Sequence, residues 1–254
     1  MAIIIPTNKS VEAFTGLHLY HGDISNCSMR VRMTLEEKGL EWTSHHLSLK
    51  KKENISDDYF GINPNGLVPT LVHDGVVHIE SNEIIDYLDE TFTDPPLRSP
   101  ETEAEMLEWL RLAGSIHVPA VKPYVYATRI AKKIQKTEEE QQKYDALQQN
   151  QELKTFHKKH AGGAMFSDED IAKAKAILHD CFTKLDEALE GKAWVLGDQF
   201  TLADISWIPL HHVLIGCGYP FEEFPNITRW AASFRDRPSF QEAVLKWCPD
   251  FSKV

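Results

Sequence analysis

The stretch Asn65–Phe92, NGLVPTLVHDGVVHIESNEIIDYLDETF, changes its hydrophobic period once and so fixes the fold class. VPTLVHDGVVHI reads as two strands around the turn signal Asp74-Gly75. SNEIIDYLDETF reads as a helix with Ile84, Ile85 and Leu88 on one stripe and Ser81 as a candidate cap. Pro69 opens the first strand after a glycine turn and cannot donate to the ladder, a setting that suits a cis Val68-Pro69 bond. Such a kink would free the Val68 N–H and C=O to pair with an extended peptide ligand, as an added strand does. The plainer reading is an edge strand that starts with proline. At the strand-to-helix junction, Glu80 offers a carboxylate to an ammonium, and Ser81 offers a hydroxyl and amides to a carboxylate. Together they fit an amino-acid end group, although a serine cap with an acidic first turn explains the pair as well when taken alone.

Working outward, LHLYH (17–21) reads as a strand, SMRVRMTLEEKGL (28–40) as a helix closed by Gly39, EWTSHHLSL (41–49) as a second strand and NISDDYFGI as a short helix. A strand-helix-strand unit of this length favours a parallel pair joined by a right-handed crossover. The order β-α-β-α-β-β-α over residues 15–92 is a thioredoxin-like α/β layout. A linker at 93–100, TDPPLRSP, carries three prolines in eight residues, which no continuing helix tolerates. Beyond it, over 101–254, strand signals nearly vanish and helical spacing dominates, which predicts an all-α second domain. Inside that domain the 132–170 segment is polar and highly charged, an excursion whose order the sequence leaves open.

DISNCSMRVR, residues 23–32, places two hydroxyls, an amide and a thiol at the start of the first helix. A helix N-terminus presents unpaired N–H groups and partial positive charge, which favour a thiolate or another anion. Ser25 could donate to a ligand thiolate, and Cys27 could itself be a nucleophile. Read locally, Ser25, Asn26 or Ser28 is an ordinary cap and Cys27 a bystander.

The chain of 254 residues, 42% hydrophobic, is long enough for a sizeable core. It has no apolar run long enough to span a bilayer and no basic leader, so a cytoplasmic protein with no membrane partner is expected. Its four cysteines, Cys27, Cys181, Cys217 and Cys248, are too widely spaced for a zinc ribbon or a redox pair, and no metal site is expected. A net charge of -11 argues against general nucleic-acid binding.

The three motifs, in this order, resemble the cytosolic glutathione transferase superfamily from about Leu17 to Trp247. NPNGLVPTL, ESNEIIDYLDETF, the proline-rich linker and LGDQFTLADISWIPL carry the resemblance. In the last, Thr201 and Asp204 form a Thr-x-x-Asp capping box with a structural role. SNCSMRVR resembles the signature shared by zeta-class enzymes and tetrachlorohydroquinone reductive dehalogenases. The polar helical segment and ENISDDYFGINPNGLVPTLVHDGVV are similar to bacterial lignin β-etherases. Leu67 stands where the zeta class carries a polar residue, and the helical insertion is foreign to that class; both set maleylacetoacetate isomerisation aside.

The resemblance implies glutathione as co-substrate. Ser25, Asn26 and Cys27 would stand at the thiol. Ser28, Leu67, Val68, Pro69, Glu80 and Ser81 would line the tripeptide, and Lys52 would reach its glycine carboxylate. A hydrophobic aromatic electrophile would sit between the domains, with Trp109, His117, Tyr124, Tyr126, Trp207 and His211 as candidate wall residues. His211 would also be a candidate proton donor to a leaving phenolate. Three functions follow: a glutathione transferase acting by substitution or β-aryl ether cleavage; a Cys27-dependent thiol-disulfide or reductive dehalogenation enzyme; or a non-catalytic glutathione- or protein-binding member of the fold. The resemblance also implies a homodimer.

Overall fold

The computed structural model describes residues 2–130, 137–159 and 166–248. The rest of the polar excursion and the last six residues of the helical region lie outside the described residues. An edge strand, β1 (Ala2–Ile4), precedes the expected series β2 (Leu17–His21), α1 (Asn26–Glu37), β3 (Trp42–His46), α2 (Asp57–Ile62), β4 (Thr70–His73), β5 (Val76–Ile79) and α3 (Ser81–Thr91). The sheet order is β1-β5-β4-β2-β3, with β2 and β3 parallel and every other pair antiparallel.

Period-two alternation gives each sheet face its own core. Leu17, Leu19 and Leu71 point toward α1 and α3 and join the large core with Met29, Val31, Ile84, Ile85 and Leu88. Val72, Val77 and Ile79 face the other way, onto Val11, Tyr59 and Ile62. The linker is pinned by Arg98, which reaches Asp89 (2.6 Å), Asp86 (2.7 Å) and Glu103 (2.8 Å), while buried Lys38 closes on Asp89 from the end of α1 at 2.6 Å.

Helices follow: α4 (Glu103–Ser115), a wide π-type turn at His117–Val121, α5 (Lys122–Val125), α6 (Glu138–Leu147), α7 (Gln151–Lys159), α8 (Asp168–Ala188), α9 (Leu202–Ile215), α10 (Pro225–Arg235) and α11 (Pro238–Phe240). Helix α1 lies between α3 on one side and α9 and α11 on the other, so it is buried nearly all round. That burial takes in Arg30 and Arg32, which are among the largest fully buried side chains. Arg32 is satisfied by the carbonyls of Gly22 (2.8 Å), Asp23 (3.0 Å) and Ala243 (2.7 Å) and lies 3.1 Å from His21 Nδ1. Since the guanidinium can only donate, Nδ1 accepts, and the proton of neutral His21 sits on Nε2, 2.8 Å from Ser44 Oγ.

The excursion contributes two helices. Thr137 and Glu140 close a capping box at the start of α6. Helix α6 then leans on the first domain: Glu140 pairs with Lys52, Tyr144 meets the Phe60 ring edge-on at 6.2 Å, and Gln148 Nε2 donates to the Asn65 carbonyl at 2.8 Å. The inserted segment is therefore a strap across the loop that leads into β4.

Candidate active site

Ser25 is the N-cap of α1: its Oγ accepts from the Ser28 N–H at 3.2 Å. Capping uses a lone pair and leaves the hydroxyl proton free to donate. Beside it, Asn26 is buried with Nδ2 unpaired, and the half-buried Cys27 receives a long contact from Arg30 Nη1 at 3.7 Å. Three donors and one thiol thus meet at the positive end of a twelve-residue helix. Ser28, expected to contact ligand, is instead fully buried and accepts from the Gly22 N–H at 3.1 Å. It holds the β2–α1 turn, and its expected contact with the tripeptide is corrected.

The second motif is built from below. Val68-Pro69 is cis. The preceding carbonyl, Leu67 C=O, accepts from Tyr59 Oη (2.6 Å) and Asn63 Nδ2 (2.9 Å), and both side chains also reach Thr70 Oγ1. Gly66 turns the loop at φ +60°, where a Cβ would meet the Phe60 ring at 2.7 Å. With its neighbours so anchored, the Val68 N–H and C=O have no partner among the described residues. Tyr59→Phe is expected to lower stability by about 1 kcal/mol, because Asn63 still serves both acceptors; a urea midpoint measures it.

Glu80 occupies φ +66°, ψ +108°, a conformation L-residues adopt at a cost of about 1–3 kcal/mol. The turn exposes the Glu80 carboxylate while Ser81, the first residue of α3, stays buried. Desolvation and repulsion from Glu83 raise the Glu80 pKa, and Lys122 pulls it down.

Arg30 links the two motifs. Its Nε donates to the Ser206 carbonyl of α9 (2.8 Å), and Nη1 reaches both Ser81 Oγ (3.1 Å) and the Cys27 sulfur. Nη2 is buried and unpaired, and no carboxylate pairs with this guanidinium among the described residues. A buried cation without a counter-ion is costly, which makes the position a natural seat for an anion. Across the domain junction stands Lys122, at the start of α5. Burial lowers its pKa, while Cys27 and Glu80 raise it, so thiol, carboxylate and amine share one neighbourhood. His117, with Nδ1 unpaired, is held neutral down to about pH 3 by burial, Lys122 and Arg30.

Other expected wall residues fall elsewhere. Trp207 is completely buried, edge-on to Trp109 at 5.7 Å, and donates to the Trp109 carbonyl; it is core and not cleft. His211 lies among Phe221, Trp230 and Phe234, and burial drives its pKa down to about 3, so it is no proton donor to a substrate. Tyr124 is buried against Tyr219. For Trp207 and His211 the cause is that α9 is buried on every side, so spacing could not tell which face meets the cleft. Trp109 remains half-buried. Tyr126 forms an aromatic group with Phe156 (6.1 Å) and Phe166 (6.4 Å), and Lys122 Nζ sits 5.0 Å from the Phe156 ring centre. Lys52 is bound to Glu140 of the strap.

Comparison with known proteins bears on the family and the fold. Residues 24–91 match the family model of the glutathione S-transferase N-terminal domain, and 168–233 that of the C-terminal domain. Protein LigF of Sphingobium sp. (strain NBRC 103272 / SYK-6) is 28% identical over 245 residues, covering 91% of this chain and 93% of its own. The crystal structure of β-etherase LigF superposes with a TM-score of 0.80, covering 91% of this chain and all of the other. A family member from Pseudomonas fluorescens pf-5, solved with two glutathione molecules bound, shares the fold at a TM-score of 0.70 and 19% identity. Glutathione S-transferase Z2 of Arabidopsis thaliana is 30% identical over 237 residues, covering 92% of this chain and 93% of its own. On these matches the chain belongs to the glutathione transferase family.

Proposed function

We propose that the protein transfers the glutathione thiol to an electrophilic carbon of a hydrophobic aromatic substrate, with β-aryl ether cleavage as the reaction class suggested by its likeness to β-etherase LigF. The observation that carries this reading is Arg30: one buried guanidinium, without a carboxylate, spans from Ser81 to the sulfur of Cys27. It joins an amino-acid end-group site to a thiol site and supplies positive charge for a bound thiolate.

The tripeptide backbone would pair with the free Val68 N–H and C=O, as an added strand. Its γ-glutamyl end would meet Glu80 and Ser81, and its sulfur would lie at the start of α1. There Ser25, already capping through a lone pair, donates its hydroxyl proton to the thiolate, and Asn26 and Arg30 reinforce the positive field. The thiolate attacks carbon, and the leaving group departs with the bonding electrons.

The experiment is incubation with glutathione and three electrophiles: a β-aryl ether, 1-chloro-2,4-dinitrobenzene and a chlorinated hydroquinone. Mass spectrometry is expected to find a glutathione thioether from the first two. Glutathione disulfide with a dechlorinated hydroquinone as the only product would contradict this reading and support Cys27 redox chemistry instead.

A further inference from the structure

We propose that Lys122 is the proton donor to an aryl oxygen leaving group, which makes aryl ethers the substrate class of this site. The inference rests on the glutathione transferase reading above and adds to it the residue that protonates the leaving oxygen.

Displacement of an aryl oxide needs a cation or a proton where the oxygen departs, whereas displacement of chloride needs no proton. The candidate donors differ in what they can give. Arg30 is held in place by Ser206 and Ser81, and a guanidinium does not release its proton in a protein. His117 is a neutral imidazole at any pH above about 3 and is no acid for the reaction. His211 is shut in the helical core. Lys122 is the one of these four with a transferable proton and a place at the domain junction.

Its surroundings suit that task. Burial lowers the affinity of its amine for a proton, while Cys27 and Glu80 oppose the shift, and His117 feels its charge. The net shift is downward, which makes this ammonium a stronger acid toward a departing phenolate than a free lysine. The Phe156 ring, brought by the strap, lies under Nζ at 5.0 Å, and Tyr126 and Phe166 stand against Phe156. An aryl ring resting on this aromatic group presents its oxygen to the ammonium and its ether carbon to the sulfur. The step balances without a redox partner. The thiol proton leaves to solvent when the thiolate forms, a carbon–sulfur bond forms and a carbon–oxygen bond breaks. The electron pair goes to oxygen, which takes a proton from Lys122, and the amine regains one from solvent.

The test uses the intact chain with Lys122→Met and Lys122→Arg, each checked for folding by circular dichroism. Both variants should lose about 10²-fold or more in kcat/KM on an unactivated phenyl ether. They should lose much less on the matching 4-nitrophenyl ether and least on 1-chloro-2,4-dinitrobenzene, because those leaving groups need no proton. A second readout needs no turnover. In the protein–glutathione mixture, 4-nitrophenol should ionise at lower pH than in bulk, seen in its visible band, and Lys122→Met should abolish that shift. Equal losses on all three substrates, full activity of Lys122→Arg on the phenyl ether, or an unshifted band in the wild type would each overturn the proposal. Wild-type turnover of the chloride substrate alone would overturn it while leaving the transferase reading intact; no thioether from any substrate would remove both.

Discussion

Ser25→Ala is expected to lower kcat/KM for thioether formation by about 10²- to 10³-fold, the loss typical of removing one donor aimed at a developing anion. The same change removes the cap of α1, because the Ser28 N–H loses its acceptor. That part is expected to reduce stability by about 1 kcal/mol, which lowers Tm by only about 2–4 °C in a chain of this size. Activity and stability thus separate: a loss of two orders of magnitude cannot come from so small a change in folded fraction. Cys27→Ala should keep thioether formation within a factor of a few, since the sulfur accepts only a long contact from Arg30. Under the Cys27 redox alternative the two variants would exchange phenotypes, so steady-state kinetics on both decides between them.

Asp204→Ala is expected to have the largest effect on folding. The carboxylate is completely buried and accepts from the Val195 N–H (3.0 Å), the Thr201 N–H (3.0 Å), Trp230 Nε1 (2.9 Å) and the Thr201 hydroxyl (3.3 Å). Burial raises its pKa and these bonds pull it back, and the balance leaves it pushed up to about 6. Alanine would leave buried donors unsatisfied at the start of α9 and beside α10. The expected loss is about 3–5 kcal/mol, read as a fall in Tm of roughly 10 °C or more. Helix α9 also carries the Ser206 carbonyl that anchors Arg30, so loosening it reaches the reaction centre. A variant that kept its Tm within about 2 °C would show that Asp204 is not the fixed point of the helical domain.

Local signals made much of this legible. Period-two runs, the Asp74-Gly75 turn and the Ser25 helix start are encoded within a few residues, and the corresponding elements form there; Ser81 opens α3 as its first residue, while the cap position falls to Glu80. Strand β1 was not legible, because Ala2–Ile4 pairs with residues nearly eighty positions away and has no pattern of its own. Arg30 and Arg32 carry charges that usually mark a solvent face; only the packing of α9 and α11 onto α1 shows them buried. Lys122 was missed for the same reason, since a lysine in VKPYVY gains a role only when the domains meet. The strap had a readable start in Thr137-x-x-Glu140, hidden by the surrounding charge. Trp207 and His211 failed as cleft residues because a helix buried on every side has no periodic face to read.

Glutathione is expected to bind as a thiolate at the start of α1, and a pH titration of the thiolate absorbance at ~240 nm, for glutathione bound to Cys27→Ala, measures this directly. A free thiol ionises near ~8.5, and a serine hydroxyl, a helix N-terminus and a buried guanidinium together are expected to lower the bound value by about 2 pH units, with most of that shift lost in Cys27→Ala/Ser25→Ala. Bound glutathione that titrates at its free value, or no glutathione binding by calorimetry, would contradict the account.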